Sequence, residues 1–231
     1  MPQLIEELLS PSQLRVARRE MERVRRHPPY AYPWEELVRD LRGRGGETMR
    51  LVVYGSLLSL ESASHTLSHP GAREPVLCLG GRRLFQYRIP RDNTRYGPPP
   101  IARENAALNV VATGRLEDIF NGILLSIDLA EIDALRGREV GYDLSPVLCL
   151  RWNDLGAPPF ISHTLSCPDD PDRGDGRLDA TLLPHRRYYQ VCREGAGSLG
   201  DRFLDLWLET TYLADGITPV GDWEKHGFTG S

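Results

Sequence analysis

Residues 49–57 read MRLVVYGSL, a short run of apolar and β-branched residues that stops at Gly55 and Ser56. Such a run, bounded by a glycine, is typical of a buried strand that enters a tight turn. Glycine lets the chain bend so that the backbone N–H groups of the next residues converge, which makes a small receptor for an anion or an oxyanion. Alone, this turn is a weak indication of function, because most strand-Gly-Ser turns bind nothing.

Outward from this stretch, strands and helices alternate without a regular pattern. Further strands are predicted at residues 76–78, 82–87, 108–113, 121–127 and 146–152, and residues 90–104, rich in proline and polar side chains, are predicted to form a long loop. Asp128 is predicted to cap a helix with the apolar stripe Leu129, Ile132 and Leu135, and two closing helices are predicted at about 185–194 and 199–213. The order predicts the α+β class with a largely antiparallel or mixed sheet.

Residues 1–48 are predicted to be a helical extension that precedes a main domain of residues 49–231. Ser10 and Pro11 suit the start of a helix, and Leu14, Ala17, Met21 and Val24 then recur at helical spacing. We expect this stripe to dock on its own domain or on a second subunit, which would make a homodimer, and to supply no catalytic group. The stretch 15–26 carries six Arg and two Glu, which is typical of a solvated outer face or of a docking surface for an acidic partner.

Composition excludes several classes of protein. With 40% hydrophobic and 26% charged residues among 231, the chain is an average globular protein. Its 28 basic and 32 acidic residues give a net charge of −4, whereas a nucleic-acid-binding domain would be basic. The N-terminus lacks the basic start and apolar stretch of a signal peptide, and the chain has no apolar run of 18 residues. We therefore expect a cytoplasmic protein without nucleic-acid or membrane partners.

No metal site is predicted either. The four cysteines, at positions 78, 149, 167 and 192, stand far apart, without a CxxC pair or a histidine at ligand spacing. The acidic stretch 168–179 does not place its oxygens at the positions of an EF-hand, so it is predicted to be a solvated loop.

Glu139 is the first candidate for catalysis. It lies four residues past Leu135 and seven past Ile132, so a helix that persists would place its carboxylate on the buried face. Burial raises the pKa of a carboxyl group, which suits a general base that works near neutral pH. If the helix ends at Gly137, Glu139 lies on a turn instead. The alternative is a surface carboxylate or an ion pair with Arg136 or Arg138.

In this order, the segments VVYGSLL, FNGILLSIDLAEIDAL followed by REVGY, and PHRRYYQVCREGA resemble the gamma-glutamylcyclotransferase-like family, also called AIG2-like. The resemblance covers roughly residues 49–213. Two departures stand out: many relatives carry Arg five residues after the catalytic Glu, where this chain has Leu144, and the 90–104 loop is long enough to cover the cavity and change the substrate. The matching positions are Tyr54, Gly55, Ser56, Gly122, Glu139, Tyr142, Pro184, Tyr188, Gly195 and Ala196.

The resemblance implies a small mixed β-barrel with flanking helices and a cavity at the Tyr-Gly-Ser turn. The family reaction is an intramolecular aminolysis that turns a gamma-glutamyl amine or peptide, such as those of glutathione metabolism, into 5-oxoproline and a free amine. Glu139 would be the general acid and base, and backbone groups from Gly55 through Ser56 to Leu57 would hold the substrate carboxylate or the oxyanion.

The cavity walls implied by the resemblance include Tyr54, Tyr142 and Tyr188, although core packing is an equal interpretation for Tyr188. The reaction needs a small-molecule gamma-glutamyl substrate and neither a metal nor an organic cofactor. The alternative is a non-catalytic AIG2-like module that binds a small molecule or a protein partner.

Overall fold

The computed structural model describes residues 2–26, 34–68, 72–99, 101–167 and 177–227. The helices in these ranges are α1 (Pro2–Leu8), α2 (Pro11–Arg26), α3 (Trp34–Gly43), α4 (Leu60–Ser64), α5 (Ile132–Arg138), α6 (Arg186–Gly197), α7 (Asp201–Thr210) and α8 (Val220–Lys225). The strands are β1 (Thr48–Val53), β2 (Arg73–Leu79), β3 (Gly81–Arg88), β4 (Ala106–Ala112), β5 (Ile119–Asp128), β6 (Asp143–Arg151), β7 (Phe160–Ser166) and β8 (Thr211–Leu213).

The centre of the molecule is a closed barrel with the strand order β1-β5-β2-β6-β7. Its neighbours run antiparallel except where β7 meets β1, which closes the barrel in parallel through the pair Leu51 and His163. A second sheet has the order β4-β3-β8, with β8 parallel to β3. The predicted α+β fold, a small mixed barrel with flanking helices and helices in the N-terminal extension, is therefore confirmed.

The burial of strand β1 explains why apolar and polar residues do not alternate along residues 51–53. Leu51, Val52 and Val53 are all fully buried, so the strand is covered on both faces. A strand covered in this way reads as a continuous apolar run. It brings the chain to Tyr54 at the end of the barrel, where the turn begins.

The sequence did not predict β7, because its buried side chains are largely hydroxyls. Ser162, Thr164 and Ser166 are all buried, and their hydroxyls donate to backbone carbonyls. Such hydrogen bonds remove the cost of burying the polar groups. A strand of this kind lacks the apolar alternation by which strands are recognised.

Two predicted helix boundaries are wrong. Asp128 does not cap α5: it ends β5, and its carboxylate accepts from the backbone N–H of Ala130, while α5 begins at Ile132. The last long helix does not reach residue 213. It ends at Thr210, and the following β-branched and aromatic residues, Thr211 and Tyr212, instead pair with β3.

The N-terminal helices pack on the barrel of the same chain, which is one of the two expected docking modes. Four side chains of α1, α2 and the turn between them share a core with residues of β2, β5, β6 and α7. The indole of Trp34 on α3 donates to the backbone oxygen of Tyr142 over 2.8 Å. The N-terminal members of the shared core are Ile5, Leu9, Ala17 and Met21, and the others are Leu77, Leu79, Ile119, Leu148, Leu150 and Leu206.

The sequence also led to expectations about membrane spans, metal sites and the acidic stretch 168–179. Among the described residues, no helix has both the length and the apolar character needed to cross a bilayer. The same part of the chain contains no group of three or more His, Cys, Asp or Glu side chains placed to hold a metal ion. Most of the acidic stretch 168–179, predicted to be a loop, lies outside the described residues.

Candidate active site

A cavity of about 720 Å³ opens at the end of β1, between the turn that follows this strand and the end of α5. All seven residues that the sequence singled out for the site line it, although they come from separate segments of the chain. They are Tyr54, Gly55, Ser56, Leu57, Glu139, Tyr142 and Tyr188.

The Tyr-Gly-Ser turn forms one wall of this cavity. After Gly55 the chain makes a single 3₁₀ turn at Ser56–Leu58, closed by a hydrogen bond from Leu58 N to Gly55 O over 2.9 Å. The first N–H groups of a helical turn have no acceptor within it. Those of Ser56 and Leu57 donate to no acceptor in the part of the chain that the structure describes. Two backbone donors therefore remain available beside the cavity.

Helix α6 supports the turn through a glycine. A Cβ atom on Gly195 would lie 2.5 Å from the backbone nitrogen of Ser59 and 2.7 Å from the carbonyl carbon of Leu58. Any side chain at this position would push the helix away. Gly195 thus allows the close contact between α6 and the turn that fixes the position of the backbone donors.

Glu139 lies at the C-terminal cap of α5 rather than within the helix. Its N–H donates to Leu135 O over 2.9 Å, and its backbone then leaves the helical conformation. The side chain is 15% exposed, and its Oε1 lies 3.0 Å from Nε of Arg138. The carboxylate is therefore both on the cavity wall and in one of the two ion pairs considered from the sequence. The other candidate, Arg136, pairs with Glu35.

The environment of Glu139 favours a proton-transferring group. Burial raises the pKa of its carboxyl group, and the nearby charges of Arg138 and Arg95 offset part of that rise. The net direction is upward from the ordinary value, which brings the group closer to the range in which a base exchanges protons near neutral pH.

The three tyrosines form rigid walls. The hydroxyl of Tyr54 donates to Leu165 O over 2.7 Å, and that of Tyr142 donates to Leu108 O. The hydroxyl of Tyr188 accepts a long hydrogen bond from Leu108 N, at 3.4 Å. Burial raises the pKa of all three hydroxyls, so they stay neutral. Their hydrogen bonds to the backbone hold the rings in place.

A lid, defined here as residues 90–99, covers one side of the cavity. The ring of Tyr96 packs edge-on against Tyr188 with centroids 5.1 Å apart. The lid residues that line the cavity are Pro90, Asp92, Asn93, Thr94, Arg95 and Tyr96. At the ends of the lid, Asn105 Nδ2 donates to Ile89 O over 2.9 Å, and the ring of His185 hydrogen-bonds with Gly97 O over 3.2 Å. The long loop noted in the sequence therefore reaches the cavity.

Three arginines line the cavity: Arg95 comes from the lid, Arg138 from the end of α5 and Arg177 from the segment before α6. Sequence reasoning considered Arg138 only as an ion-pair partner of Glu139 and missed Arg95 and Arg177. Leu144, at the position where the resemblance would place an arginine, is fully buried on β6. Arg177 instead brings a guanidinium to the cavity, where its Nη1 donates to the Tyr87 hydroxyl over 3.1 Å. The feature of the sequence that could have indicated a role for Arg95 in the site was its position in the long, proline-rich loop of residues 90–104.

No protein-family model and no curated protein sequence matches the chain. Solved structures do match it. A structure described as gamma-glutamyl cyclotransferase aligns with a TM-score of 0.51 and 12% identity, over 69% of this chain and 85% of the other. The chain has the gamma-glutamyl cyclotransferase fold.

Two further solved structures show the range of the likeness. The uncharacterized protein loc79017 from Homo sapiens aligns with a TM-score of 0.51 and 11% identity, over 69% of this chain and 85% of the other. A gamma-glutamyl cyclotransferase from yeast, described as specific to glutathione, aligns with a TM-score of 0.46 and 13% identity, over 80% of this chain and 100% of the other. At such identities, the two alignments with a TM-score of 0.51 show the fold and not the activity.

Proposed function

We propose that the protein is a gamma-glutamylcyclotransferase-type enzyme that cyclises a gamma-glutamyl amine or peptide to 5-oxoproline and releases the amine. One observation carries the proposal: the largely buried carboxylate of Glu139 lines the same cavity as the turn at Ser56 and Leu57, whose N–H groups donate to no acceptor among the described residues. A base and a pair of oxyanion donors are the two groups that this reaction needs.

In the proposed reaction, Glu139 takes a proton from the α-ammonium group of the substrate. The freed amine attacks the γ-carbonyl carbon, so that a C–N bond forms and the carbonyl oxygen becomes an oxyanion. The oxyanion then collapses, the bond to the leaving nitrogen breaks, and Glu139 gives its proton to that nitrogen. The ring nitrogen still carries one proton more than the neutral lactam, so Glu139 takes this second proton and passes it to the released amine, which leaves as an ammonium ion. Atoms and charge balance without a co-reactant, and Glu139 ends in its starting state.

The donors and the walls have separate roles. The N–H groups of Ser56 and Leu57 stabilise the oxyanion, because fixed dipoles in a water-poor site need no reorganisation when charge develops. The rings of Tyr54, Tyr142 and Tyr188 confine the substrate chain to the bent shape in which amine and carbonyl meet. Holding two reacting groups together removes much of the entropic part of the barrier.

The test is incubation of the pure protein with gamma-glutamyl amino acids, gamma-glutamyl amines and glutathione, with 5-oxoproline detected by mass spectrometry. Glu139→Gln keeps the shape of the side chain and deletes the base, so we expect a loss of about 10²- to 10⁴-fold in turnover. Its matched control is Glu131→Gln, a carboxylate just before α5 that accepts from Ser68 N and lies outside the cavity lining.

Two outcomes would contradict the proposal. Turnover of Glu139→Gln within a few-fold of the parent would exclude Glu139 as the base. Ligand-dependent stabilisation without any 5-oxoproline would favour the non-catalytic binding module.

A further inference from the structure

Arg138 forms hydrogen bonds with several groups around the cavity. It is only 4% exposed, and its two terminal nitrogens donate four hydrogen bonds to α4 and its surroundings. Nη1 donates to Ser62 O and to Thr66 Oγ1, and Nη2 donates to Ser62 Oγ over 2.8 Å and to Ser56 Oγ over 3.0 Å. The remaining nitrogen, Nε, lies 3.0 Å from Glu139 Oε1.

These contacts use the whole donor capacity of the guanidinium. An arginine has five N–H groups and no acceptor. Four of them are matched by protein oxygens, and the fifth is on the nitrogen that faces Glu139. Arg138 thus has no donor left for a substrate carboxylate, although it lies on the cavity wall.

The Ser56 contact extends this network to the turn. Because the Ser56 hydroxyl accepts from Arg138, its own proton points elsewhere. An interaction with Ser56 also offsets part of the rise in pKa that burial causes at Tyr96 of the lid. The hydrogen bonds and the ion pair of one guanidinium therefore connect the carboxylate with the Tyr-Gly-Ser turn.

We infer that Arg138 is a positioning residue: it holds the Glu139 carboxylate and orients the Ser56 hydroxyl, and it does not itself bind substrate. The guanidinium is fixed from behind by Ser62 and Thr66, so it presents Nε and Nη2 at set positions. The effect on turnover rests on the proposed function, whereas the coupling between the two side chains does not.

Other groups around Glu139 also bear on its protonation. Arg95 approaches from the lid, and the hydroxyls of Tyr54, Tyr142 and Tyr188 and the thiol of Cys192 interact with it electrostatically. Arg177 and Asp92 line the same cavity. The test must therefore separate Arg138 from a general change in charge.

Arg138→Met is compared with Arg136→Met, the same change two residues earlier on α5 at a half-exposed side chain that pairs with Glu35. For Arg138→Met we expect kcat to fall by about 10- to 100-fold, a part of what a well-placed base contributes. KM should change little, because Arg138 touches no substrate. The acid limb of kcat against pH should move to higher pH, since loss of the cation raises the pKa of Glu139.

A second measurement needs no activity. Glu139→Gln is introduced into the parent and into Arg138→Met, and thermal stability is measured at about pH 8 and about pH 4.5, as a double-mutant cycle at two protonation states. At the higher pH we expect Glu139→Gln to raise the melting temperature more in the Arg138→Met background, where the carboxylate has lost its partner. At the lower pH the two backgrounds should converge.

The outcomes separate the two proposals. A parent protein that forms no 5-oxoproline removes the proposed function but leaves the stability cycle as a test of the coupling. A cycle without coupling at either pH, or an Arg138→Met enzyme whose kcat and pH profile equal those of Arg136→Met, would overturn the role of Arg138. If Arg138→Met does not fold, Arg138→Gln serves in both measurements, because it removes the cation beside Glu139 and keeps a polar side chain with two N–H donors at this position.

Discussion

The hydroxyl oxygen of Tyr188 lies 2.5 Å from the position that a Cβ atom would take on Gly55. A carbon atom cannot approach an oxygen so closely, and Tyr188 is packed against Phe85 and Tyr96. The turn and α6 therefore fit together only when residue 55 has no side chain. This contact explains why glycine precedes the two backbone donors.

The first prediction follows from this contact. Gly55→Ala should reduce the thermal stabilisation given by a gamma-glutamyl ligand, because the added methyl group displaces the turn or Tyr188. The double variant Gly55→Ala with Tyr188→Phe should recover part of this thermal stabilisation. Without the hydroxyl, the nearest atom of the ring to the new methyl group is Cζ at 3.7 Å, which is an ordinary contact distance. Gly43→Ala is the control, because a Cβ there meets no atom within 4 Å. A Gly55→Ala protein that responds to ligand like the parent would show that the turn does not contribute to binding.

The second prediction concerns pH. Burial raises the pKa of Glu139 in the folded state above the value of about 4.3 for an unfolded glutamate. The folded state then binds more protons, so this group's contribution to stability falls as pH rises from the unfolded value through the folded one. We expect Glu139→Gln to gain stability relative to the parent over that window, measured by urea unfolding at several pH values. A stability difference that is independent of pH would contradict this interpretation.

A third prediction tests the docking of the N-terminal helices. Met21 is 1% exposed in the core that α2 shares with the barrel, whereas Val16 on the same helix is 40% exposed. Met21→Ala should lower the free energy of unfolding by about 2 to 5 kcal/mol, and Val16→Ala by about 0.5 kcal/mol or less. Turnover by the folded fraction should be unchanged in both. Equal losses of stability would mean that α2 is not held by this core.

The fourth prediction concerns the anchoring of the lid. Glu104, 2% exposed, binds Arg186 of α6 through both carboxylate oxygens, at 2.9 and 3.0 Å. Glu104→Gln should weaken this anchor by about 1.5 to 3 kcal/mol, the range for a hydrogen bond to a charged group. Amide hydrogen exchange should then rise in residues 90–104 and KM should increase. Asp40→Asn, which removes an exposed ion pair with Arg44, is the control and should change neither measurement.

The apolar strands and long helices could be predicted because burial dictates their residue pattern. The strand containing Leu51, Val52 and Val53 and the helix carrying Ala17 and Met21 are examples. β7 could not be predicted, because its buried hydroxyls are satisfied by carbonyls of strands distant in sequence. For Glu139, helix periodicity predicted burial if the helix persisted. The helix ends at Arg138, and the C-terminal cap of α5 positions Glu139.

The residues of the candidate site also fall into two groups, those that the sequence predicted and those that it did not. Family-like motifs identified the turn, Glu139 and the tyrosines, since each is a short local pattern. The contributions of Arg95, Tyr96 and Arg177 depend on how a long loop and a late segment fold over the cavity. No local pattern in the sequence carries that information, because contacts between distant segments decide it.

The lid lies in the connection between β3 and β4 of the three-stranded sheet. The Tyr-Gly-Ser turn and Glu139 instead lie in connections between barrel strands: the turn follows β1, and Glu139 caps α5 between β5 and β6. The loop that covers one side of the cavity is thus attached to a different sheet from the residues that we propose act on the reacting atoms. Replacing residues 91–95 between the fixed points Ile89 and Tyr96 would leave the barrel strands untouched. Under the proposed function, exchange of this loop would change substrate choice and leave in place the residues that carry the chemistry.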